Sequence, residues 1–163
     1  MEPDVRFCTT SDGVTIAYTS FGNGPPLVQV LGWATHVEFS AQMPGFERSL
    51  AALIAKNHHY YTYDGRGFGL SDRDVTGFSL DAKTRDLEAV VDASGLEHFD
   101  VIGASEGGPT AIAYANRHPD RVRRLVIYGS FARILPPETE AEQIEMRLRM
   151  MAVIPGWGKD TSE

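Results

Sequence analysis

A serine lies between glycines in the stretch Gly103-Ala104-Ser105-Glu106-Gly107-Gly108. The apolar run Phe99-Asp100-Val101-Ile102 precedes it, and a helix-forming segment that begins with Pro109 follows it. A serine at such a strand-to-helix turn is held in a strained backbone conformation with its hydroxyl exposed, and the glycines allow strand and helix to approach closely. The pattern predicts a nucleophilic Ser105, with the positive end of a helix behind it to stabilise a developing oxyanion.

The composition favours one domain with its own core, since 42% of the 163 residues are hydrophobic. The net charge is -7 and only Arg121, Arg123 and Arg124 form a basic cluster, which argues against a nucleic-acid or anionic-membrane partner. The single cysteine, Cys8, fits a reducing compartment. The acidic start Met1–Asp4 is followed by no long apolar run, so neither a signal peptide nor a membrane span is predicted. We therefore expect a cytoplasmic protein.

Strand and helix patterns alternate along the chain. Two β-type runs, Val5–Thr10 and Val14–Phe21, flank an Asp-Gly turn and predict an antiparallel hairpin. The further predicted strands are Leu27–Leu31, His59–Tyr63, Phe99–Ala104 and Val122–Tyr128. The predicted helices are an interrupted one over Glu38–Lys56, then Leu80–Ala93 and Gly107–Arg117. Ser79 is expected to cap the helix Leu80–Ala93 and Gly95 to end it. This alternation predicts an α/β fold with a mostly parallel sheet and helices on both faces.

Four motifs follow one another in a recognisable order. They are Gly32-Trp33 after one buried strand, Asp64-Gly65-Arg66-Gly67-Phe68-Gly69-Leu70-Ser71-Asp72 after the next, the serine turn, and His118-Pro119-Asp120-Arg121-Val122 before another strand. Together they resemble the α/β-hydrolase superfamily over residues 1–135. Within it, Val5–Val14 and Tyr63–Gly67 are similar to bacterial hydrolase-like domains that are often fused to regulatory modules.

The resemblance implies a serine hydrolase that acts on small carboxylic esters, of the esterase or lactonase type. Ser105 matches the family's nucleophile, and the backbone N–H groups of Trp33 and Glu106 match its two oxyanion donors. Both residues are also expected to line the substrate pocket. No cofactor is implied. The alternative is a ligand-binding or sensory module that keeps the pocket without turnover.

The general base is not settled by the resemblance, because the family's acid and histidine come after the strands that this sequence contains. His36, three residues after Trp33, is the histidine expected near Ser105, as a base or substrate contact or in loop packing alone. The Glu106 carboxylate could orient a water or His36, or be solvated and idle. The other histidines are His58, His59, His98 and His118, and they are assigned structural roles, with no metal site predicted.

Residues 136–163 are interpreted as the start of a lid or as an exchanged helix. A capping box at Thr139-x-x-Glu142 predicts a helix that runs to Ile154 with a broad apolar face. The strand Val122–Tyr128 is expected to be an exposed apolar edge, which favours association. We therefore expect a homodimer that forms through this edge, through exchange of the helix Glu138–Ile154, or through both.

Overall fold

The structure is a computed structural model that describes residues 4–32, 35–40 and 51–131. The chain divides into two compact units, Met1–Ala132 and Arg133–Glu163. The second unit lies outside the described residues, and so do Trp33 and the predicted helix over Glu138–Ile154. The proposed division into a core of residues 1–135 and a following segment therefore stays a prediction.

A six-stranded sheet forms the centre of the first unit. Its strands are β1 (Arg6–Thr9), β2 (Thr15–Phe21), β3 (Pro26–Val30), β4 (His59–Tyr63), β5 (Phe99–Ala104) and β6 (Val122–Tyr128), in the order β1-β2-β4-β3-β5-β6. The predicted hairpin is present as β1 and β2, and β2 also pairs antiparallel with β4. The remaining pairs are parallel. The prediction of an α/β fold with a mostly parallel sheet is confirmed.

The described helices are α1 (Val37–Ser40), α2 (Leu80–Ala93) and α3 (Gly107–Arg117), and residues 51–54 are also helical. The Ser79 hydroxyl accepts the N–H of Ala82 at 3.1 Å, which caps α2 as predicted, and Gly95 follows with a positive φ. The helices α2 and α3 pack against each other. The connections from β4 to β5 and from β5 to β6 run in the same direction across the sheet, so right-handed crossovers place α2 and α3 on one of its faces. The connection from β3 to β4 runs in the opposite direction and places the helical residues 51–54 on the other face.

The core lies between the sheet and the pair α2–α3. Alternate residues of the central strands point into it, among them Val28 of β3 and Val101 of β5, which are fully buried. Leu87 and Val90 of α2 and Tyr114 of α3 meet them and are fully buried as well. Because β3, β4 and β5 are parallel, their carboxyl ends meet at one edge of the sheet, where α/β proteins carry their sites.

Candidate active site

Ser105 occupies a strained turn between β5 and α3. Its φ is +51°, and it is the one residue other than glycine with a positive φ in the described part of the chain. The residue is exposed, and its N–H donates to the carbonyl oxygen of Tyr128 at 3.1 Å. A serine held in this region costs about 1–3 kcal/mol, so the surrounding structure must impose the conformation.

The glycines around Ser105 are required by close backbone contacts. A β-carbon on Gly107 would lie 2.0 Å from the Val30 carbonyl oxygen, and one on Gly103 would lie 2.8 Å from the Cα of Gly108. Such distances leave no space for any side chain, which is the close approach of strand and helix that the sequence predicted. The turn therefore holds the Ser105 side chain above the sheet edge.

The backbone N–H of Glu106 is the predicted oxyanion donor, a role that stays a prediction. It stands at the N-terminus of α3, where the first N–H groups have no acceptor within the helix and the helix dipole is positive. Gly32, just after β3, lies against it, since a β-carbon on Gly32 would be 3.1 Å from the Glu106 nitrogen. Trp33 follows Gly32 directly but lies outside the described residues, so its roles as second donor and pocket residue stay predictions.

The Glu106 carboxylate is held by a partner on the neighbouring helix. Lys83, in the first turn of α2, donates from Nζ to Glu106 Oε1, and the two side chains are 27% and 28% exposed. With Leu31, Phe68 and Thr110, among others, the pair lines a cleft beside the serine turn. The carboxylate is therefore not an idle solvated group. Lys83 was not singled out by the sequence, because its contact with Glu106 depends on the packing of α2 against α3.

His36 lies directly before α1 and is half-buried. The N–H of its neighbour Val37 donates to Asp64 Oδ1 at 3.0 Å, and Asp64 is fully buried and accepts the N–H of Leu70 at 2.9 Å as well. Asp64 thus ties the segment that carries His36 to the loop after β4. Since β4 and β5 flank β3, the segment of His36 and the turn of Ser105 lie at the same sheet edge. A contact between the two side chains stays a prediction.

Two of the other described histidines, His98 and His118, have structural contacts. His118 Nε2 lies 2.8 Å from Glu88 Oε1, and its ring packs on that of Tyr114 at 4.6 Å. His118 follows the last residue of α3, whose eleven residues span about 16 Å, so it lies at the opposite end of this helix from Ser105. His98 Nδ1 lies 2.9 Å from the Asp120 carbonyl oxygen at the start of β6.

Metal-ligating side chains do not cluster in the described ranges: no group of three or more His, Cys, Asp or Glu residues there is placed to hold an ion. Within the same ranges, every helix is too short or too polar to cross a membrane. Among the described residues, the groups near the serine turn include the Ser105 hydroxyl, the backbone N–H of Glu106 and the Lys83–Glu106 pair, and the segment of His36 lies at the same sheet edge.

A strained serine between a parallel strand and a helix, at the carboxyl edge of a mostly parallel sheet, has the backbone geometry typical of α/β hydrolases. The profile of the alpha/beta hydrolase fold matches residues 25–162. The chain belongs to this family.

Individual relatives are similar over most of this chain. A putative carbamate hydrolase, RutD, from Azorhizobium caulinodans is 34% identical over 71% of this chain and 45% of its own length. A 2-hydroxymuconate semialdehyde hydrolase from Pseudomonas sp. CF600 is 37% identical over 78% of this chain and 44% of its own. The solved structure of the esterase RhEst1 from Rhodococcus sp. ECU1013 is 32% identical, with a TM-score of 0.68 over 80% of this chain and 47% of that one. The chain spans less than half the length of these proteins, and their names give three different substrate classes.

Proposed function

We propose that the protein is a serine hydrolase of small carboxylic esters, with lactones among them, and that Ser105 is its nucleophile. The observation that carries the proposal is the positive φ of this exposed serine. A strained residue other than glycine persists when the structure imposes it, and such residues cluster at functional sites. The likeness to hydrolases, an esterase among them, supports the same chemistry.

In the proposed reaction, Ser105 Oγ attacks the carbonyl carbon of the ester. A new carbon–oxygen bond forms, the π electrons of the carbonyl move to its oxygen, and the serine proton passes to a base. The oxyanion is stabilised by the N–H groups of Glu106 and Trp33, each worth about 3–4 kcal/mol of the barrier. When the carbonyl re-forms, the bond to the alkoxy group breaks and the alcohol leaves with that proton. Water then cleaves the acyl-enzyme by the same steps and restores Ser105.

His36 is the base that we propose within this chain, and a base from a second chain is the alternative source. Histidine is the side chain that most often serves as a general base in enzymes. His36 also belongs to a segment that Asp64 fixes at the sheet edge where Ser105 lies. The hydrogen bond from Val37 thus ties the backbone next to His36 to the loop after β4.

Ligand binding without turnover is the second candidate function. The observation that favours it is the cleft beside the serine turn, which offers a ligand apolar contacts and the Lys83–Glu106 pair. The described carboxylate–histidine pair of Glu88 and His118 lies at the far end of α3 from Ser105. A histidine oriented by an acid is the usual partner of a serine nucleophile, and this pair is too distant to serve. In that case the turn and the cleft would bind an ester-like ligand and release it unchanged.

Labelling with a fluorophosphonate distinguishes the two functions. An activated serine attacks the phosphorus, the Oγ–P bond forms and fluoride leaves, so intact-mass spectrometry shows a stoichiometric adduct. We expect this adduct on the wild-type protein and on Ser11→Ala, which removes an exposed serine of the hairpin turn, but not on Ser105→Ala. A folded wild-type protein that stays unlabelled would contradict the hydrolase and favour the binding module.

A further inference from the structure

The acidic side chain next to the nucleophile lies close to the predicted oxyanion site. Glu106 contributes its backbone N–H as a donor, and its Cβ lies where a β-carbon on Gly32 would be only 2.7 Å away. The Glu106 side chain therefore begins beside the end of β3, on the side of the turn where we expect the oxyanion. An unpaired carboxylate there would repel the negative charge that develops on the substrate oxygen.

The structure supplies a cation for this carboxylate. Lys83 Nζ contacts Glu106 Oε1, and both side chains are largely screened from solvent, so their interaction is weakened less by water and salt than that of a surface pair. The other acidic residue in the described lining of the cleft, Asp86, is paired with Arg66, whose Nη2 lies 2.8 Å from Asp86 Oδ1. Each carboxylate of the described lining is therefore matched by one cation.

We propose that Lys83 is a positioning residue of the active site: it holds the Glu106 carboxylate in an ion pair and so keeps uncompensated negative charge away from the oxyanion. The inference rests on the proposed role of Ser105. Lys83 is not proposed to contact the reacting atoms. It acts through Glu106, both by neutralising its charge and by holding its side chain toward α2.

The test compares Lys83→Met with Lys83→Arg and with the double variant Lys83→Met/Glu106→Gln. Removing the cation leaves one negative charge beside the oxyanion, which should slow labelling by the fluorophosphonate about 10- to 50-fold and lower kcat for p-nitrophenyl acetate by a similar factor. KM should change little, because the repulsion acts on the transition state more than on the neutral substrate. Arginine should keep most of the rate, and the double variant should regain most of it. Lys56→Met, which removes an exposed lysine far along the chain, is the matched control and should label like the wild type.

The outcomes separate this inference from the proposed function. If the wild type is labelled at Ser105 and Lys83→Met labels at the same rate, the role of Lys83 is wrong while the hydrolase stands. If the double variant melts like the wild type but remains as slow as Lys83→Met, the charge explanation is wrong. An unlabelled wild type contradicts the nucleophile itself and ends both proposals. Melting temperatures measured in parallel show whether a slow variant has merely lost its fold.

Discussion

Gly107 is so close to Val30 that a β-carbon at position 107 would lie 2.0 Å from the Val30 carbonyl oxygen. Val30 ends β3 and Gly107 begins α3, so the helix that follows Ser105 packs directly against the end of the neighbouring strand. The same packing brings the Glu106 nitrogen next to Gly32. The proposed oxyanion site is thus built by a contact between two backbones.

Substitution of Gly107 by alanine should therefore damage both the fold and the site. The methyl group meets a backbone oxygen that cannot rotate away, so α3 must shift, at a cost of about 3 kcal/mol in the free energy of unfolding. Fluorophosphonate labelling of Ser105 should also be lost. Urea unfolding measures the first effect and intact mass the second. Gly65→Ala is the matched control, because a β-carbon at Gly65 meets no atom within 4 Å; equal stability losses in the two variants would contradict the steric explanation.

Ser105→Gly should make the protein more stable and inactive. Glycine adopts a φ near +51° without the strain that serine carries, whereas Ser105→Ala keeps that strain. We expect a gain of about 0.5–1 kcal/mol for the glycine variant, after its larger loss of chain entropy on folding, and no gain for the alanine variant. Thermal and urea unfolding of the three proteins measure the difference. A glycine variant less stable than the alanine variant would mean that the turn is not strained.

Much of the fold follows from local patterns in the sequence. The apolar runs predicted β4, β5 and β6 with the observed bounds, and the capping serine predicted where α2 begins. The strands β1 and β3 differ from their predicted bounds by one residue at both ends and β2 by one residue at its start, because strand ends depend on pairing partners as well as on residue type. The glycine spacing likewise predicted the turn of Ser105, since backbone strain and close approach are properties of a few consecutive residues.

The contacts that the sequence did not predict join distant segments. Lys83 and Glu106 are 23 positions apart, and Arg66 and Asp12 are 54 positions apart. Neither pair has a local signature, because the first depends on how α2 packs against α3 and the second on how the loop after β4 meets the turn of the hairpin. A lysine in the first turn of a helix is usually a solvated residue, so its type alone did not single out Lys83. The general base stays open for the same reason.

His36→Ala tests the base directly. If His36 accepts the Ser105 proton, the two residues act as a unit, and each single variant should lose about as much kcat as the double variant. The variants should still cleave the ester about 10³–10⁴-fold faster than water does, since the oxyanion donors are intact. Turnover of p-nitrophenyl acetate by the three variants measures this. Near-normal turnover of His36→Ala would exclude His36 and direct the search to a second chain.

Asp12→Asn should lower stability in a pH-dependent way. The Arg66 guanidinium, whose Nη1 lies 2.9 Å from Asp12 Oδ2, and the Thr10 hydroxyl hold the pKa of Asp12 well below its ordinary value. The ionised carboxylate therefore stabilises the fold fully above its unfolded pKa of about 4, and this contribution is lost as the pH falls towards the lower folded pKa. We expect a deficit of about 1 kcal/mol at pH 7, modest because the side chain is 32% exposed.

The deficit should shrink when urea unfolding is repeated near pH 3. Asp86 also pairs with Arg66, but its pKa is shifted in the opposite direction. Burial raises the pKa of Asp86, so the ionised form of Asp86 is less favourable in the folded protein than in the unfolded one. The difference between the wild type and Asp12→Asn at each pH removes the contribution of Asp86 except for the part of its raised pKa that the Asp12 charge causes. A deficit that is constant from pH 7 to pH 3 would show that the hydrogen bonds of Asp12 matter and its charge does not.

The homodimer is predicted from β6, the strand at one end of the described sheet. β6 ends the described strand order, and its apolar side chains are exposed on both faces, with Leu125 at 38%, Val126 at 51% and Ile127 at 43%. An exposed apolar edge is a template for another strand. We propose that two copies pair antiparallel along β6 about a two-fold axis at Leu125, a register that sets Arg124 opposite Val126 and keeps like charges apart.

Sedimentation velocity of the wild type should accordingly show a dimer whose fraction increases with concentration. Val126→Lys puts a charge on the paired edge and should give a monomer that is still folded, because like charges face the incoming strand and edge lysines block pairing. Ile112→Lys, on the exposed side of α3 at 42% exposure, makes the same change away from the edge and should leave the dimer intact. If the wild type is monomeric at every concentration, or if both lysine variants dissociate alike, the edge is not the interface and the proposed dimer is wrong.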